Sequence, residues 1–431
     1  MQRKTVHRVM LACRGVEARR IQRSASDLGM ETAGLTGETD DSAVWSADID
    51  YTMFLSNPEP TAPDVVGLAL DSGCELLHPG WSRLVRDSEL AGRAPMAGLQ
   101  LVGPTYQHLE LAADTSRLRK VAGELKIPVV PGSDPIEDFA VAKGWLTQAG
   151  YPAVGRVTGD DPDARWHELT EEEQALPIVA ALLEKGPVVL ERKVVAAREI
   201  EVLVMGDGEG ESLTLGERDT SAQPGGERIL VESPAIELDD QHAREFRTHA
   251  ANLVAALRWA GLVSVRFLLT PDKRGYLLRI RPGLQAWHAV TEAVLGVDLV
   301  DAQLRMALGE TLGWQPRHFD ENGHAFCLRI FSTNTTNGTL TKLKLPENMR
   351  LLRGFEEGDL IRPNEELFQI IAHAPTRQAA IVRARAALEQ TVIEGVPSNI
   401  DLFRAVFDLK PFWNGPLDRD RFEQLMGGSA Q

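Results

Sequence analysis

Cysteine and long apolar stretches are scarce in this 431-residue sequence, and each scarcity excludes a class of protein. The three cysteines, Cys13, Cys74 and Cys327, are odd in number and far apart, so neither a disulfide framework nor a zinc site is expected. No apolar run has the length of a membrane helix or a signal peptide. These absences predict a cytoplasmic protein with reduced thiols.

Positive charge is also in deficit. Lysine and arginine number 46 against 62 aspartates and glutamates, which gives a formal net charge of −16. This balance argues against nucleic acid or an acidic membrane surface as the main partner. The hydrophobic content of 43% is enough for a large core, and the length indicates two or three domains.

A βαβ pattern fills the first hundred residues. Short strands are predicted at 6–12, 31–35, 51–55, 75–78 and 99–103, with helical segments between them. This alternation is typical of an open parallel sheet with helices on both faces. The first turn, CRGVEAR, holds a single glycine, so a dinucleotide-binding fingerprint is absent.

The rest of the chain mixes helices with antiparallel strands, so the predicted class is α/β with an α+β C-terminal part. Thr170 and Glu173 have the spacing of a capping box at the start of an acidic helix. Two runs, EIEVLVM and ESLTLGE, flank a GDGEG turn and predict a hairpin. Helices are predicted over 109–125, 139–149, 170–184, 239–259, 298–308 and 377–393.

A second hairpin carries the unusual charges. In the stretch from Val263 to Glu292, apolar residues alternate on both sides of a PDKRG turn. If the loop closes between Leu269 and Tyr276, Arg266 lies directly opposite Arg279, and Arg281 lies two residues along on the same face. Like charges opposed on a sheet cost stability unless a negative group lies between them, so this face should contact an anion or a carboxylate.

Several runs resemble those of biotin carboxylase, the ATP-grasp subunit of acetyl-CoA carboxylase, and occur in the same order: ACRGVEARRIQR, LLHPGW, IPVVPGSD, GERDTSAQ and HAVTEAVLGVDLVDAQLR. The resemblance covers nearly the whole chain. It implies a biotin carboxylase-like ATP-grasp fold with an N-terminal parallel sheet domain (1–104), a helical bridge (105–128), a lid (129–190) and a C-terminal domain (191–431). Family members use MgATP and bicarbonate to carboxylate biotin.

The resemblance places the family's metal ligands on the arginine hairpin. Two metal-binding glutamates correspond to Arg266 and Arg279, and a supporting asparagine corresponds to Arg281. Two like charges ~4 Å apart repel by about 4 kcal/mol at an effective dielectric of 20, and magnesium carries two charges. A magnesium site is therefore not expected here.

The family's phosphate loop is changed as well. Arg156 keeps the charge of a phosphate-binding lysine, but residues 159–165 hold one glycine and three aspartates where the family has a run of glycines. Another phosphate-contacting lysine corresponds to Thr115. The added carboxylates would repel a triphosphate, while small glycines would let backbone N–H groups approach it.

At the bicarbonate and biotin end, the resemblance places an anion-binding arginine at Gly283 and the catalytic base at Trp287. Loss of a general base costs roughly 10²–10⁴-fold in rate. Arg350 falls where the family has an enolate-stabilising arginine. The adenosine-side histidine and lysine correspond to Gly226 and Arg228.

Some nucleotide-contacting positions are retained, and they leave a weak or relic ATP pocket as an open alternative. Glu199 replaces a ribose-contacting histidine. The positions that keep a matching or similarly charged residue are Arg156, Glu191, Arg192, Glu201, Gln223 and Gln285.

Each unusual residue also has a structural interpretation. We expect the three arginines to be ion-paired with acids of the former pocket such as Glu191, Glu201 or Glu217, because internal pairs satisfy buried polar groups. Trp287 would fill the biotin cavity and His288 would make a structural hydrogen bond. The aspartates of 160–163 would form a solvated turn.

The sequence thus supports three hypotheses. The favoured one is a pseudoenzyme, a non-catalytic or regulatory subunit of an acyl-CoA carboxylase that functions in fatty acid biosynthesis. Its partners would be biotin carboxylase or carboxyltransferase subunits and a biotin carrier protein, in a homodimer or heterodimer. The alternatives are a diverged ligase that still binds ATP and a metabolite sensor that binds an anion at the arginine hairpin.

Overall fold

A computed structural model describes residues 7–37, 40, 43–57, 59–158, 166–223, 227–315 and 319–422. Its first part consists of β1 (Arg8–Leu11), α1 (Gly15–Asp27), β2 (Glu31–Thr36), α2 (Val44–Ala47), β3 (Tyr51–Phe54), α3 (Ala62–Asp71), β4 (Leu76–His78), a 3₁₀ turn (Leu84–Arg86), α4 (Ser88–Met96) and β5 (Gln100–Leu101). The five strands pair in parallel in the order β3-β2-β1-β4-β5. The predicted open parallel sheet is confirmed.

Apolar sequence explains the centre of this sheet. Val9, Met10 and Leu11 of β1 are all fully buried, so both faces of the strand are covered. A continuous apolar run of this kind is typical of parallel strands with helices on both sides. The chain runs from β1 to its neighbour β2 toward one edge of the sheet, and from β4 to its neighbour β5 toward the other edge. A crevice therefore opens between β1 and β4 at their carboxyl ends.

The segment after this sheet differs from its prediction. The single helix predicted over 109–125 is two helices, α5 (Tyr106–Ala113) and α6 (Thr115–Glu124). Asp114 separates them, because its side chain accepts a hydrogen bond from the Arg117 N–H and caps α6.

A small three-stranded unit follows, with α7 (Phe139–Ala149), β6 (Ala153–Val157), β7 (His167–Leu169), α8 (Glu172–Leu183) and β8 (Val188–Arg192). Its strand order is β7-β6-β8. The capping-box prediction is wrong: Glu171 is the N-cap without a side-chain bond, and the Gln174 side chain accepts the Thr170 N–H instead.

The C-terminal part is built on an eight-stranded antiparallel sheet, ordered β13-β12-β9-β10-β11-β14-β19-β17. The helix predicted over 377–393 ends at Gln390, because the next residues pair with another strand. The elements of this part are β9 (Arg198–Asp207), β10 (Ser212–Asp219), β11 (Leu230–Ser233), α9 (Asp240–Ala256), β12 (Ala260–Leu269), β13 (Gly275–Pro282), α10 (His288–Leu295), α11 (Leu299–Ala307), β14 (His324–Phe331), β15 (Gly338–Thr339), β16 (Lys342–Lys344), β17 (Arg350–Arg353), β18 (Leu360–Ile361), β19 (Glu366–Ala374), α12 (Arg377–Gln390), β20 (Val392–Glu394), α13 (Ile400–Asp408) and α14 (Lys410–Asn414).

The β12–β13 hairpin has the predicted pairing at its centre, with Arg266 opposite Arg279. Its turn closes one residue earlier than predicted, because Leu269 pairs with Gly275 rather than with Tyr276. A register shift next to Arg266 absorbs the difference and leaves one extra residue on β13. The bulge therefore preserves the shared face of the two arginines.

No helix among the described ranges has the length and apolar character needed to cross a membrane.

Candidate functional site

Four charged residues form a row across one face of the large sheet. Arg279 on β13 is opposite Arg266 on β12, which is opposite Glu201 on β9, which is opposite Arg218 on β10. All four side chains are buried. The row alternates in charge except between Arg266 and Arg279, where a further negative group is required.

Glu199 on β9 supplies that negative group for Arg266. The guanidinium of Arg266 donates from Nε to Oε1 at 2.8 Å and from Nη2 to Oε2 at 2.7 Å. Arg228 donates to Oε1 at 2.8 Å, and the Thr220 hydroxyl and the Gln223 amide each donate at 3.0 Å. We refer to these five residues as the Glu199 cluster.

The Glu199 carboxylate is fully buried and ionised. Burial alone would raise its pKa, but the charges of Arg228 and Arg266 and their hydrogen bonds hold the pKa well below its usual value. A buried carboxylate is tolerated only when it is paired and hydrogen-bonded in this way. The cluster therefore stabilises two buried arginines and one buried glutamate together.

Glu201 and Trp287 fill the adjacent part of the face. Glu201 is paired with Arg218 and accepts the indole N–H of Trp287 at 3.1 Å. Burial raises the pKa of Glu201, yet the charges of Arg218 and Arg281 bring it below the usual value. The guanidinium of Arg281 lies 5.2 Å from the Trp287 ring and that of Arg228 lies 5.6 Å from it. Trp287 is thus held among cations and an acid in a buried position.

The small three-stranded unit closes the face from the other side. Arg279 lies 3.9 Å from Glu191 on β8, and Glu191 is also paired with Arg119 at 2.9 Å. The Trp166 ring lies 4.5 Å from the guanidinium of Arg279 and 5.2 Å from that of Arg156. A small cavity of about 10 Å³ beside Glu191 is lined by Thr115, Arg119 and Leu277 among others.

The expectation that the arginines are ion-paired with acids of the pocket is confirmed for Arg266 and Arg279. Glu191, one of the three acids given as examples, lies within ion-pair distance of Arg279. Arg266 is paired with Glu199, another acid of the same pocket, while Glu217 is paired with Arg247. The alternation of Glu199 and Glu201 along EIEVLVM was a sequence signal for an acidic face opposite the arginines.

Gly283 ends the hairpin in a conformation that excludes larger residues. Its φ is +75°, and a Cβ atom built there would lie 2.5 Å from Cγ2 of Val85 in the N-terminal part. Any side chain at this position would have to displace Val85 and adopt a left-handed backbone conformation. The neighbouring Gln285 side chain donates to the carbonyls of Pro282 and Gly283.

Arg350 lies outside the Glu199 cluster. It is paired with Glu292, which also accepts a hydrogen bond from Arg20 at 3.0 Å. His288 is buried, shares a hydrogen bond of 2.9 Å with the Gln285 carbonyl and packs its ring against Trp81. The expected structural hydrogen bond of His288 is confirmed. Burial lowers the pKa of His288 to about 4, so the ring is neutral near pH 7.

The structure thus brings most of the predicted positions together and leaves two apart. Arg192 is exposed and Arg350 belongs to a separate ion pair. Residues 159–165 and Gly226 lie outside the described residues. Sequence reasoning assigned no role to Arg119, Trp166 or Arg218, although Arg218 lies within the GERDTSAQ run. Within the described ranges, no group of three or more His, Cys, Asp or Glu residues could hold a metal ion.

Comparison with known proteins assigns the class and then the family. Residues 5–109 match the biotin carboxylase N-terminal domain, 114–315 the ATP-binding domain of the carbamoyl-phosphate synthase L chain, and 331–424 the biotin carboxylase C-terminal domain. The fold is therefore an ATP-grasp fold of the biotin carboxylase type, as the sequence predicted. The chain is a member of the biotin carboxylase family.

Individual relatives align with this chain over nearly its whole length. Biotin carboxylase 2 of Populus trichocarpa is 28% identical over 95% of this chain and 82% of its own. The 2-oxoglutarate carboxylase small subunit of Hydrogenobacter thermophilus is 28% identical over 95% and 91%. The structure of the biotin carboxylase domain dimer of that carboxylase, in complex with MgADP, ADP and bicarbonate, superposes with a TM-score of 0.92 at 25% identity, covering 98% of each chain.

Proposed function

We propose that this protein is a non-catalytic subunit of an acyl-CoA carboxylase assembly. Its own side chains occupy the face that binds MgATP and bicarbonate in the family. The supporting observation is the Glu199 cluster, in which one buried carboxylate receives hydrogen bonds from Arg228, Arg266, Thr220 and Gln223. Side chains of the protein therefore occupy the positions that the charged groups of a ligand would need.

A magnesium–nucleotide complex does not fit these residues. The hairpin offers guanidinium groups at Arg266 and Arg279, and cations repel a divalent metal. Magnesium instead prefers carboxylate and phosphate oxygens.

The bicarbonate end gives independent support. An arginine at position 283 is incompatible with the contact between this backbone and Val85. Trp287 has no ionisable group, and its indole N–H is committed to Glu201. A general base must accept a proton within hydrogen-bond distance of the substrate, which an indole cannot do.

The partners follow from the family as a proposal. Family members carry names such as methylcrotonoyl-CoA carboxylase subunit alpha and 2-oxoglutarate carboxylase small subunit, and one is solved as a biotin carboxylase domain dimer. We infer that this chain joins a biotin carboxylase or carboxyltransferase subunit and a biotin carrier protein, in a homodimer or heterodimer, in the cytoplasm. The proposed division is 1–104, 105–128, 129–190 and 191–431.

Titration calorimetry with ATP, with and without magnesium, tests the proposal directly. We expect no binding at millimolar ATP under either condition and no bicarbonate-dependent ATP hydrolysis with free biotin. The biotin carboxylase 2 of Populus trichocarpa, assayed in parallel, is the positive control. Tight magnesium-dependent binding would favour the diverged-ligase alternative instead.

The subunit role needs a second measurement. The purified chain is mixed with the biotin carboxylase, carboxyltransferase and carrier proteins of its own host, and complexes are separated by size-exclusion chromatography. We expect a stable complex with at least one of them and an altered carboxylation rate. A chain that elutes alone in every mixture contradicts the subunit role, even if ATP binding is absent.

A further inference from the structure

A cleft with far more space lies away from the arginine hairpin, at the carboxyl ends of the N-terminal strands. Its volume is about 420 Å³, within the range of small-molecule sites. Arg14 follows β1, Gly37 follows β2, Leu55 follows β3 and Arg83 follows β4. Ligands of open parallel sheets bind in this crevice, where neighbouring connections leave in opposite directions.

The opposite wall comes from the C-terminal part of the chain. Phe331 at the end of β14 and Arg362 in the segment before β19 face the strand ends. Arg14 is paired with Asp40 and, at 2.7 Å, with Glu365. Arg362 lies 3.4 Å from Asp40. The cleft therefore lies between two parts of the chain, and ion pairs hold these two parts together.

Arg83 is the arginine of this lining whose side chain is most exposed, among four arginines and five acids. The Nε of Arg14 is buried and has no hydrogen-bond partner among the described residues. Arg83 donates to the Pro60 carbonyl at 2.5 Å and lies 3.9 Å from Asp87, and its side chain is 54% exposed. Because a guanidinium carries five N–H donors in a planar fork, Arg83 keeps donors for a carboxylate or phosphate.

The acids of the lining are mostly neutralised within the protein. Asp40 and Glu365 pair with arginines as described, and Glu366 is paired with Arg329 at 2.8 Å. Glu17 accepts hydrogen bonds from the Trp81 N–H and the Ser82 hydroxyl. Glu59 also lines the cleft, and its charge disfavours an anion beside it.

Helix α1 adds a smaller contribution. It begins at Gly15 beside the cleft, and its N-cap residue makes no side-chain capping bond. The partial positive charge of an uncapped helix start favours an anion nearby. Leu35, Leu55 and Leu84 supply apolar surface on the same walls.

We propose that this cleft binds a small organic anion, with its carboxylate or phosphate group at Arg14 and Arg83 and its apolar body against the leucines and Phe331. The site is separate from the arginine hairpin, so it does not depend on whether the hairpin region retains ATP binding. The ligand's charge is recognised by guanidinium groups, and its size is limited by the two facing walls.

Phenyl phosphate, benzoate and benzyl alcohol are suitable probes because they share a ring and differ in charge. Calorimetric titration of the full chain should show binding of phenyl phosphate or benzoate and at least ten-fold weaker binding of benzyl alcohol. Which anion binds tighter distinguishes a phosphate site from a carboxylate site. Equal binding of the neutral alcohol would overturn the anionic class.

Arg83→Gln tests the location. We expect it to weaken binding of the anionic probe by about ten-fold, since a charge-assisted hydrogen bond is lost. Arg93→Gln is the matched control, because Arg93 is also 54% exposed but lies on α4 outside the cleft lining. Arg279→Gln should leave probe binding unchanged. Loss of binding in either of these two variants, or none in Arg83→Gln, would overturn the assignment.

Cysteine labelling provides a readout that does not require a cleft mutation. Cys13 lines the cleft and is partly exposed, whereas Cys74 and Cys327 are buried. Burial holds the pKa of the Cys13 thiol well above its usual value, so the labelling is done at alkaline pH. We expect phenyl phosphate to slow modification of Cys13 by methyl methanethiosulfonate at least three-fold, with Cys13→Ser abolishing the label. An unchanged labelling rate at saturating probe would contradict binding in the cleft.

Discussion

The arginine hairpin and the N-terminal cleft are both rich in ion pairs, but the pairs join different parts of the molecule. At the hairpin, Arg266 and Glu199 are neighbours on adjacent strands of one sheet. In the cleft, Arg14 and Glu365 join two separate parts of the chain, and about 420 Å³ remains.

The difference lies in which elements bring each pair together. Arg266 and Glu199 lie on adjacent strands, so they meet once that sheet forms. The walls of the cleft come from the ends of two sheets, so Arg14 and Glu365 meet only when the two parts of the chain pack together.

The largest expected effect is at the Glu199 cluster. Glu199→Ala leaves Arg266 and Arg228 buried without their shared carboxylate, which should cost about 3–5 kcal/mol in the free energy of unfolding. Urea denaturation followed by circular dichroism measures it. Glu217→Ala is the control, since its partner Arg247 is 34% exposed and also binds Glu321. A loss under about 1 kcal/mol for Glu199→Ala would mean that the hairpin region is not stabilised by this cluster.

Glu17 in the cleft should give a pH dependence opposite to that of Glu199. Burial raises the pKa of Glu17 to about 8, against hydrogen bonds from Trp81 and Ser82. The folded state therefore keeps a proton that the unfolded state loses above its own pKa of about 4.3. The contribution to stability is fully present below that value and is lost as pH rises toward 8, by up to about 1.4 kcal/mol per pH unit.

The variant Glu17→Gln tests the direction of this pH dependence of stability, because glutamine mimics the protonated acid. The variant should gain stability relative to the natural chain as pH rises from 5 to 8. For Glu199 the folded pKa is lowered, so its contribution is present above the unfolded value and is lost in acid. A constant difference between Glu17→Gln and the natural chain across this range would contradict the raised pKa.

Gly283→Ala tests how tightly the N-terminal part is packed against the hairpin. Gly283 and Gly29 both have φ of +75°, but only Gly283 has a neighbour, Val85, within van der Waals distance. Gly29→Ala should cost about 1–2 kcal/mol from backbone strain, and Gly283→Ala about 1–3 kcal/mol more from the clash. Thermal unfolding measures both. Adding Val85→Ala to Gly283→Ala should recover the part of the loss that comes from the clash. Equal losses of stability in Gly29→Ala and Gly283→Ala would show that no such clash contributes.

The smallest effect is expected at Trp166. Its ring lies against Arg279 and Arg156, and each such contact contributes about 0.5–1 kcal/mol. Trp166→Ala should therefore increase amide hydrogen exchange in β6 and β8, while Trp166→Phe should retain most of the protection. Unchanged exchange in the alanine variant would show that Trp166 does not hold the small unit against the hairpin.

Sequence patterns predicted much of the fold because they reflect local physics. Alternation in VSVRF and YLLRIR placed Arg266 opposite Arg279, although the bulge that preserves this pairing was not evident. Asp114 divided a helix that periodicity alone could not divide. Motif order also predicted the family, which the domain matches support.

The sequence by itself determined the parallel sheet, the hairpin and the excess of cations on one face, because strand periodicity fixes which residues share a side. Only the tertiary structure decided what neutralises those cations. Arg119, Glu191, Glu199 and Arg228 come from separate segments and meet only after the sheet and the small unit pack together. The cleft likewise exists only because strand ends near the N-terminus face a wall formed more than three hundred residues later, as the pairing of Arg14 with Glu365 illustrates.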